Sequence, residues 1–279
     1  MKYKLIATDV DGTLGNDNFM ISKQNKAALK KAVDHGIKVV LCSGRTPDSL
    51  HAFEKEIGLN IPGQYGIGFN GATVYDAYTQ QYLFQDGISQ ETACHIIGML
   101  HQLEPTSLVA LYVDSGNLLA EEGLEDVLAQ FNNDNLVTIK YVPKITAEMI
   151  TSSVLNMYCM GERDVLNQIY DALQGKDLKE CEVSFTQYQL LEFMPPMVNK
   201  AHGIQRLCKH LGIDLSEVVT VGDNYNDIEM IEVAGLGVAV ANAVNELKKH
   251  ANYVTQKTNN EHALDEVVTY VLAENESVR

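Results

Sequence analysis

Twice in this chain an apolar run ends in carboxylates. Lys2 to Thr8 reads as a short strand that leads straight into Asp9-Val10-Asp11-Gly12-Thr13. Residues two apart in extended chain point to the same side, so Asp9 and Asp11 can face one site just past the strand end. Gly12 permits a tight turn, and Thr13 can hydrogen-bond a neighbouring carboxylate. Alone, such a pair would read as an acidic turn capping a strand. The second occurrence shifts that reading. Val219-Thr220-Val221-Gly222-Asp223-Asn224-Tyr225-Asn226-Asp227 is another apolar strand ending in an acidic loop. Asp227 by itself would pass for a helix N-cap. Four carboxylates converging on one edge, however, would repel one another unless a cation sat among them. An all-oxygen set with room for waters and a phosphate suits Mg²⁺ better than zinc or a full calcium cage.

Two further strand ends supply an anion-binding side. Val39 to Cys42 leads into Ser43-Gly44-Arg45-Thr46, which offers a hydroxyl, a glycine N–H and a guanidinium near a helix start. An ordinary capping turn beside a solvated arginine would look the same. Lys200 comes after Met194-Pro195-Pro196-Met197-Val198-Asn199 and opens a helix, the end where the helix dipole disfavours a cation. A phosphate-facing role explains that placement better than solvation does.

The elements that must position these residues alternate in a regular way. Strand (Lys2 to Thr8), helix (from Ser22 to His35), strand (Ile37 to Cys42), helix (Thr46 to Gly58) and strand (Tyr65 to Phe69) form the pattern of a parallel sheet with crossover helices. Sites of such sheets lie beyond the C-terminal strand ends. From Thr73 onward the strands become close neighbours joined by short turns, which predicts a mostly antiparallel α+β unit. After Pro195-Pro196 the parallel alternation returns, with strands over Glu217 to Gly222 and Leu236 to Val240 and a last helix through Leu272. The fold class is therefore α/β: a Rossmann-like parallel core of residues 1–83 and 187–279, with an α+β domain of residues 84–186 inserted. The final Glu274 to Ser277 reads as a frayed tail.

Composition narrows the partners. Among 279 residues, 21 Lys+Arg stand against 37 Asp+Glu, a net charge of −16, which argues against nucleic acid or an anionic membrane as partner. A local basic cluster can still hold one phosphate, because screening over about 8 Å hides distant charges. Asp9 and Asp11 cut the N-terminal apolar run far short of a signal core, and no run reaches membrane-spanning length. The five cysteines are scattered without CxxC spacing. They read as reduced thiols and point to a cytoplasmic protein.

Taken together, DVDGT at 9–13, SGR at 43–45, Lys200 and GDNYND at 222–227 resemble, in order, the four motifs of the haloacid dehalogenase (HAD) superfamily. The large insertion before the lysine makes the chain similar to its Cof-type phosphatases with an α+β cap. The resemblance implies a nucleophile at Asp9 and a general acid/base at Asp11, which also gives a backbone carbonyl to Mg²⁺. It implies a direct metal ligand at Asp223, supported by Asp227, and phosphoryl contacts at Ser43 and Lys200. Gly44, Arg45 and Asn226 become candidate substrate contacts. The implied activity is hydrolysis of phosphomonoesters of small metabolites, sugar phosphates first among them. A sugar phosphomutase of the same superfamily, or a non-catalytic phospho-ligand-binding protein, shares these motifs. The family commonly has Lys-Gly where this chain has Lys200-Ala201, and a glycine where it has His262-Ala263. No residue of the insertion announces a leaving group. Tyr112, Tyr158 and Tyr188 could line a pocket, but core packing is the simpler reading of each.

Overall fold

Uninterrupted apolar runs suit strands whose two faces are both covered, and in the computed structural model such runs form the centre of a parallel sheet. The structure describes residues 1–105, 107–112, 117–131, 137–187 and 189–277. The chain divides into two units, Met1–Gln85 with Val198–Arg279, and Asp86–Met197. In the first unit the sheet runs β14 (Tyr253–Val254), β13 (Leu236–Ala239), β12 (Val218–Gly222), β1 (Leu5–Thr8), β2 (Lys38–Cys42) and β3 (Tyr65–Gly68), all parallel. An antiparallel hairpin of β4 (Thr73–Asp76) and β5 (Tyr82–Gln85) extends it. The period of two divides the strand side chains between two cores. Ile6, Val39, Leu41, Val219 and Val221 share one core with α1 (Lys23–Asp34), α2 (Pro47–Ile57) and α9 (Ala263–Ser277). Leu5, Ala7, Val40, Cys42 and Val218 share the other with α6 (Lys200–Leu211) and Met230 of α7 (Ile228–Val233). A short α8 (Asn245–His250) joins β13 to β14.

Strand order places the site. From β1 the chain builds outward through β2 and β3, and later builds the opposite way from β12, so the sheet reverses between β1 and β12. Crevices form at such switch points, outside the carboxyl ends of the strands. Register then aligns the motifs: Thr8 lies opposite Val221 on one side and Leu41 on the other. Asp9, Asp223 and Ser43 thus leave the sheet at nearly one level.

The second unit is a six-stranded sheet in the order β10 (Glu182–Gln187), β11 (Leu190–Met194), β9 (Asn156–Met160), β6 (Leu108–Tyr112), β7 (Asn117–Glu121), β8 (Thr138–Val142). All its pairs are antiparallel except β7 with β8, which α4 (Glu125–Phe131) connects. Helices α3 (Gln90–Leu103) and α5 (Arg163–Leu173) cover one face, and Leu124 and Leu128 pack on the other.

Two expectations change. The second domain junction falls at Met197, not at 186, because β11 pairs with both β10 and β9 in the inserted sheet. Residues 187–197 therefore belong to the insertion. The C-terminal stretch is not frayed either, since α9 runs to Ser277. Asn275 is buried there; its Oδ1 accepts the Tyr3 N–H at 2.7 Å, and its Nδ2 donates to the Tyr3 carbonyl at 2.9 Å. Those two bonds tie the helix end to the backbone just before β1.

One buried carboxyl gives the fold a pH dependence of its own. Glu54 on α2 has no exposed surface; the Tyr75 hydroxyl donates to its Oε1 at 2.8 Å, and His51 Nδ1 lies 3.3 Å from its Oε2. Burial pushes its pKa up to about 7. A carboxyl that holds its proton more tightly when folded costs nothing below its unfolded pKa. The cost grows as pH rises from about 4.5 to 7 and then levels off at roughly 3 kcal/mol. Glu54→Gln keeps an acceptor for Tyr75 without the charge. It should match the wild type near pH 4.5 and exceed it by about 2 kcal/mol at pH 8, as read by denaturant unfolding at the two pH values. Equal stability at both would contradict this account.

Candidate active site

Asp9 comes directly after β1, and its backbone N–H donates to the Val221 carbonyl at 2.9 Å, continuing the ladder by one residue. The chain then makes a wide turn over Val10–Leu14, closed by the Gly15 N–H donating to the Val10 carbonyl at 2.8 Å. Gly12 is required here twice over. Its φ is +76°, and a Cβ would lie 2.6 Å from Asp223 Oδ2, so any side chain would both strain the turn and push the carboxylate away. Thr13 Oγ1 donates to Asp223 Oδ1 at 2.7 Å, which fixes which carboxylate the threonine serves. Asn242 Nδ2 donates to the Gly12 carbonyl at 2.7 Å and braces the turn from outside.

Beneath these groups lies Lys200, only 1% exposed despite its charge. Asn199 caps α6 by accepting the His202 N–H at 2.9 Å, which aims the first helical residue back at the sheet edge. Lys200 Nζ donates to Asp9 Oδ1 and to Asp227 Oδ1, each at 2.6 Å. The other oxygen of Asp227 accepts the backbone N–H groups of Asp223 and Asn224 at 2.9 and 3.1 Å. Gly222 leaves room for this, since a Cβ there would sit 2.6 Å from Asp227 Oδ2. Asp227 thus holds the lysine with one oxygen and the loop with the other.

The electrostatics arise from one ammonium facing several carboxylates. Burial raises the pKa of Asp9 well above the usual carboxylate range; Lys200 opposes the shift, while Asp227 and Asp223 add to it. Burial also lifts Asp223, to about 6, with Asp227 adding to the rise. At Lys200 burial disfavours the charge, but Asp227 and Asp9 outweigh it, and the ammonium is held above the ordinary lysine value. One oxygen each from Asp9, Asp223 and Asp227 lie within 4.8 Å of one another. Hard oxygen donors in surplus over nearby positive charge fit a divalent cation.

Ser43 leaves β2 almost wholly buried, its N–H donating to the Ile67 carbonyl at 3.0 Å. Gly44 beside it is exposed. Arg45 behaves differently from a solvated anion receptor. Its Nε and Nη2 each donate at 2.7 Å to the two oxygens of Asp11, a bidentate pair, and its Nη1 donates to Ser49 Oγ at 3.2 Å. The guanidinium also lies 5.0 Å from the Phe53 ring centre. Asn226, exposed after β12, donates through Nδ2 to Asn70 Oδ1 at 3.1 Å. Asn70, at the end of β3, is a residue that no motif singles out. Gly68-Phe69-Asn70-Gly71 ends a strand at the same sheet edge, and that position was the available signal. In the inserted unit, Tyr112 and Tyr158 meet edge-on with ring centres 6.2 Å apart; Tyr188 lies outside the described residues.

The family model for haloacid dehalogenase-like hydrolases matches residues 6–268. The chain belongs to that family. Among its relatives, YxeH of Bacillus subtilis is 29% identical over 94% of this chain and 96% of its own. The 5-amino-6-(5-phospho-D-ribitylamino)uracil phosphatase YwtE, also of Bacillus subtilis, is 29% identical over 97% of this chain and 98% of its own. A crystal structure of a haloacid dehalogenase-like hydrolase from Bacteroides thetaiotaomicron superposes with a TM-score of 0.87 at 27% identity, covering 97% of this chain and all of that one. This HAD-like hydrolase is a phosphatase of the Cof type, with the parallel core that its neighbours share. Among the described residues no helix is long and apolar enough to cross a membrane.

Proposed function

We propose that this HAD-like hydrolase is a Mg²⁺-dependent phosphomonoesterase of small phosphorylated metabolites, with sugar phosphates the favoured class and Asp9 the nucleophile. The observation that carries the reading is the placement of Asp9: a desolvated carboxylate at the sheet's switch point, 2.6 Å from a buried ammonium and beside Asp223. The relative YwtE is named for a phosphorylated metabolite, in keeping with that substrate class. Five free cysteines fit a cytoplasmic setting.

Asp9, Asp223 and the Asp11 carbonyl would hold the cation, with Asp227 fixing the loop and Lys200 behind them. When bound, Mg²⁺ supplies the charge neutralisation that lets a carboxylate approach a phosphate dianion. An oxygen of Asp9 then bonds to phosphorus as the bond to the leaving oxygen breaks, and Asp11 gives that oxygen its proton. Asp11, now a base, takes a proton from water as the water attacks the aspartyl phosphate. Inorganic phosphate leaves and Asp9 is regenerated. Lys200 and Ser43 hold phosphoryl oxygens throughout, and Gly44 and Asn226 add donors at the rim. In this structure Arg45 occupies both oxygens of Asp11 with a bidentate pair. To carry a proton, Asp11 must exchange Arg45 for the leaving oxygen.

The test is phosphate release from an aryl phosphate and a panel of sugar phosphates, with Mg²⁺ and with EDTA. Turnover that EDTA removes and Mg²⁺ restores is expected, with no need for a bisphosphate activator. Transfer to a second sugar position that requires such an activator would establish the mutase instead. Absence of both from a folded, Mg²⁺-loaded protein would leave a binding role.

A further inference from the structure

The turn after β3 carries three successive residues in the left-handed region: Phe69 at φ 48°, Asn70 at φ 50° and Gly71 at φ 100°. For a buried aromatic such as Phe69 this is a strained conformation, of the kind that persists where surrounding structure enforces it. The enforcing contacts are on both sides. The Phe69 N–H donates to the Arg45 carbonyl and the Asn70 N–H to the Ser43 carbonyl, each at 3.0 Å. Gly71 is pressed so close to α6 that a Cβ would lie 1.9 Å from the Asn199 carbonyl oxygen. The turn is thus clamped between the Ser43 loop and the helix that carries Lys200.

What the clamp presents is the Asn70 amide. A Cβ on Gly44 would lie 3.1 Å from Asn70 Nδ2 and 3.2 Å from its Oδ1, so the glycine of the Ser43-Gly44-Arg45 run makes room for this side chain. On its other side Oδ1 accepts from Asn226 Nδ2. Asn226 itself stands exposed on the loop that begins beyond Asp223. The amide therefore links loops from two strand ends that are three positions apart in the sheet.

Resting on the phosphatase reading above, we infer that Asn70 is a positioning residue. It holds the Asn226 amide in the orientation from which it meets the phosphoryl group, and acts on phosphate through Asn226. An exposed amide with free torsions loses entropy on binding; one already held by a clamped partner has lost it beforehand.

Asn70→Gly removes the amide and leaves a residue at ease with the left-handed backbone. Inorganic phosphate is titrated calorimetrically into the Mg²⁺-loaded full chain, alongside turnover of an aryl phosphate. Asn70→Gly should weaken phosphate binding about fivefold, the scale of one hydrogen bond. KM should rise by a similar factor, with kcat within about twofold, because the interaction is made equally in ground and transition states. The unfolding midpoint should stay at the wild-type value. Asn226→Ala should show the same loss, and the double variant no more than either single one. Losses that multiply in the double variant would overturn the inference. So would wild-type phosphate affinity in Asn70→Gly while the wild type turns over. A wild type that neither binds phosphate nor turns over removes the phosphatase reading, and this inference with it.

Discussion

Asp9→Asn will abolish phosphate release by at least about 10⁴-fold, the scale of losing a covalent nucleophile, while the protein stays folded. The two halves of that expectation have separate causes. An amide oxygen offers no free anionic pair to phosphorus, and the covalent route closes. The fold, by contrast, loses little. Asp9 is a buried carboxylate whose proton is held tightly by desolvation and by Asp227 and Asp223. Replacing it with a neutral isostere removes that repulsion, while Lys200 keeps Asp227 at 2.6 Å. Without metal the variant should therefore melt at or above the wild-type temperature. With metal the order should reverse, because the wild type alone retains the full ligand set and gains more from binding. Phosphate release and thermal melts with and without Mg²⁺ read both halves. Turnover within tenfold of wild type would rule out the covalent route, and a metal-free melt well below wild type would show that Asp9 is chiefly structural.

The motifs were legible because the sheet that positions them was. β1 and β12 are buried over every residue, so the sequence writes them as uninterrupted apolar runs, and the residues just after each run must lie at the sheet edge. The helix starts at Ser22 and Thr46 were legible for a local reason: each hydroxyl accepts an N–H three residues on. The hidden features depend on partners distant in sequence. β11 alternates no differently from a core strand, and only its pairing with β9 assigns it to the inserted unit. Asn275 looks like tail composition until Tyr3 is beside it. Arg45 reads as an anion receptor, and its pairing with Asp11 needs two loops 34 residues apart to meet. Asn70 looks like part of an ordinary Asn-Gly turn, because nothing local says that Gly44 and Asn226 converge on it. The departure at His262 has a local consequence: it stands at φ 71°, in the left-handed region that glycine occupies freely.

Lys200→Met should be the most destabilising single change at the site and should also silence it. The side chain is 1% exposed and is shared by two carboxylates. Methionine fills a similar volume, so packing is nearly conserved and the cost is electrostatic. Removing one partner of a buried ion pair leaves the other charge uncompensated, which costs about 3–5 kcal/mol. Two features separate this from loss of packing. Burial already raises the pKa of Asp9, which can take up a proton, so the deficit should be largest near pH 8 and narrow as pH falls towards 5. A packing defect would be indifferent to pH over that range. In addition, Asp227→Asn in the Lys200→Met background should recover part of the loss, because it removes one orphaned charge and keeps an acceptor for the Asp223 and Asn224 N–H groups. The same Asp227→Asn change in the wild type should destabilise, since it takes a carboxylate from the lysine. Denaturant unfolding of the four proteins at pH 5 and pH 8 yields this sign change directly. If the two losses simply add at both pH values, Lys200 and Asp227 are uncoupled, and the electrostatic account of that pair fails.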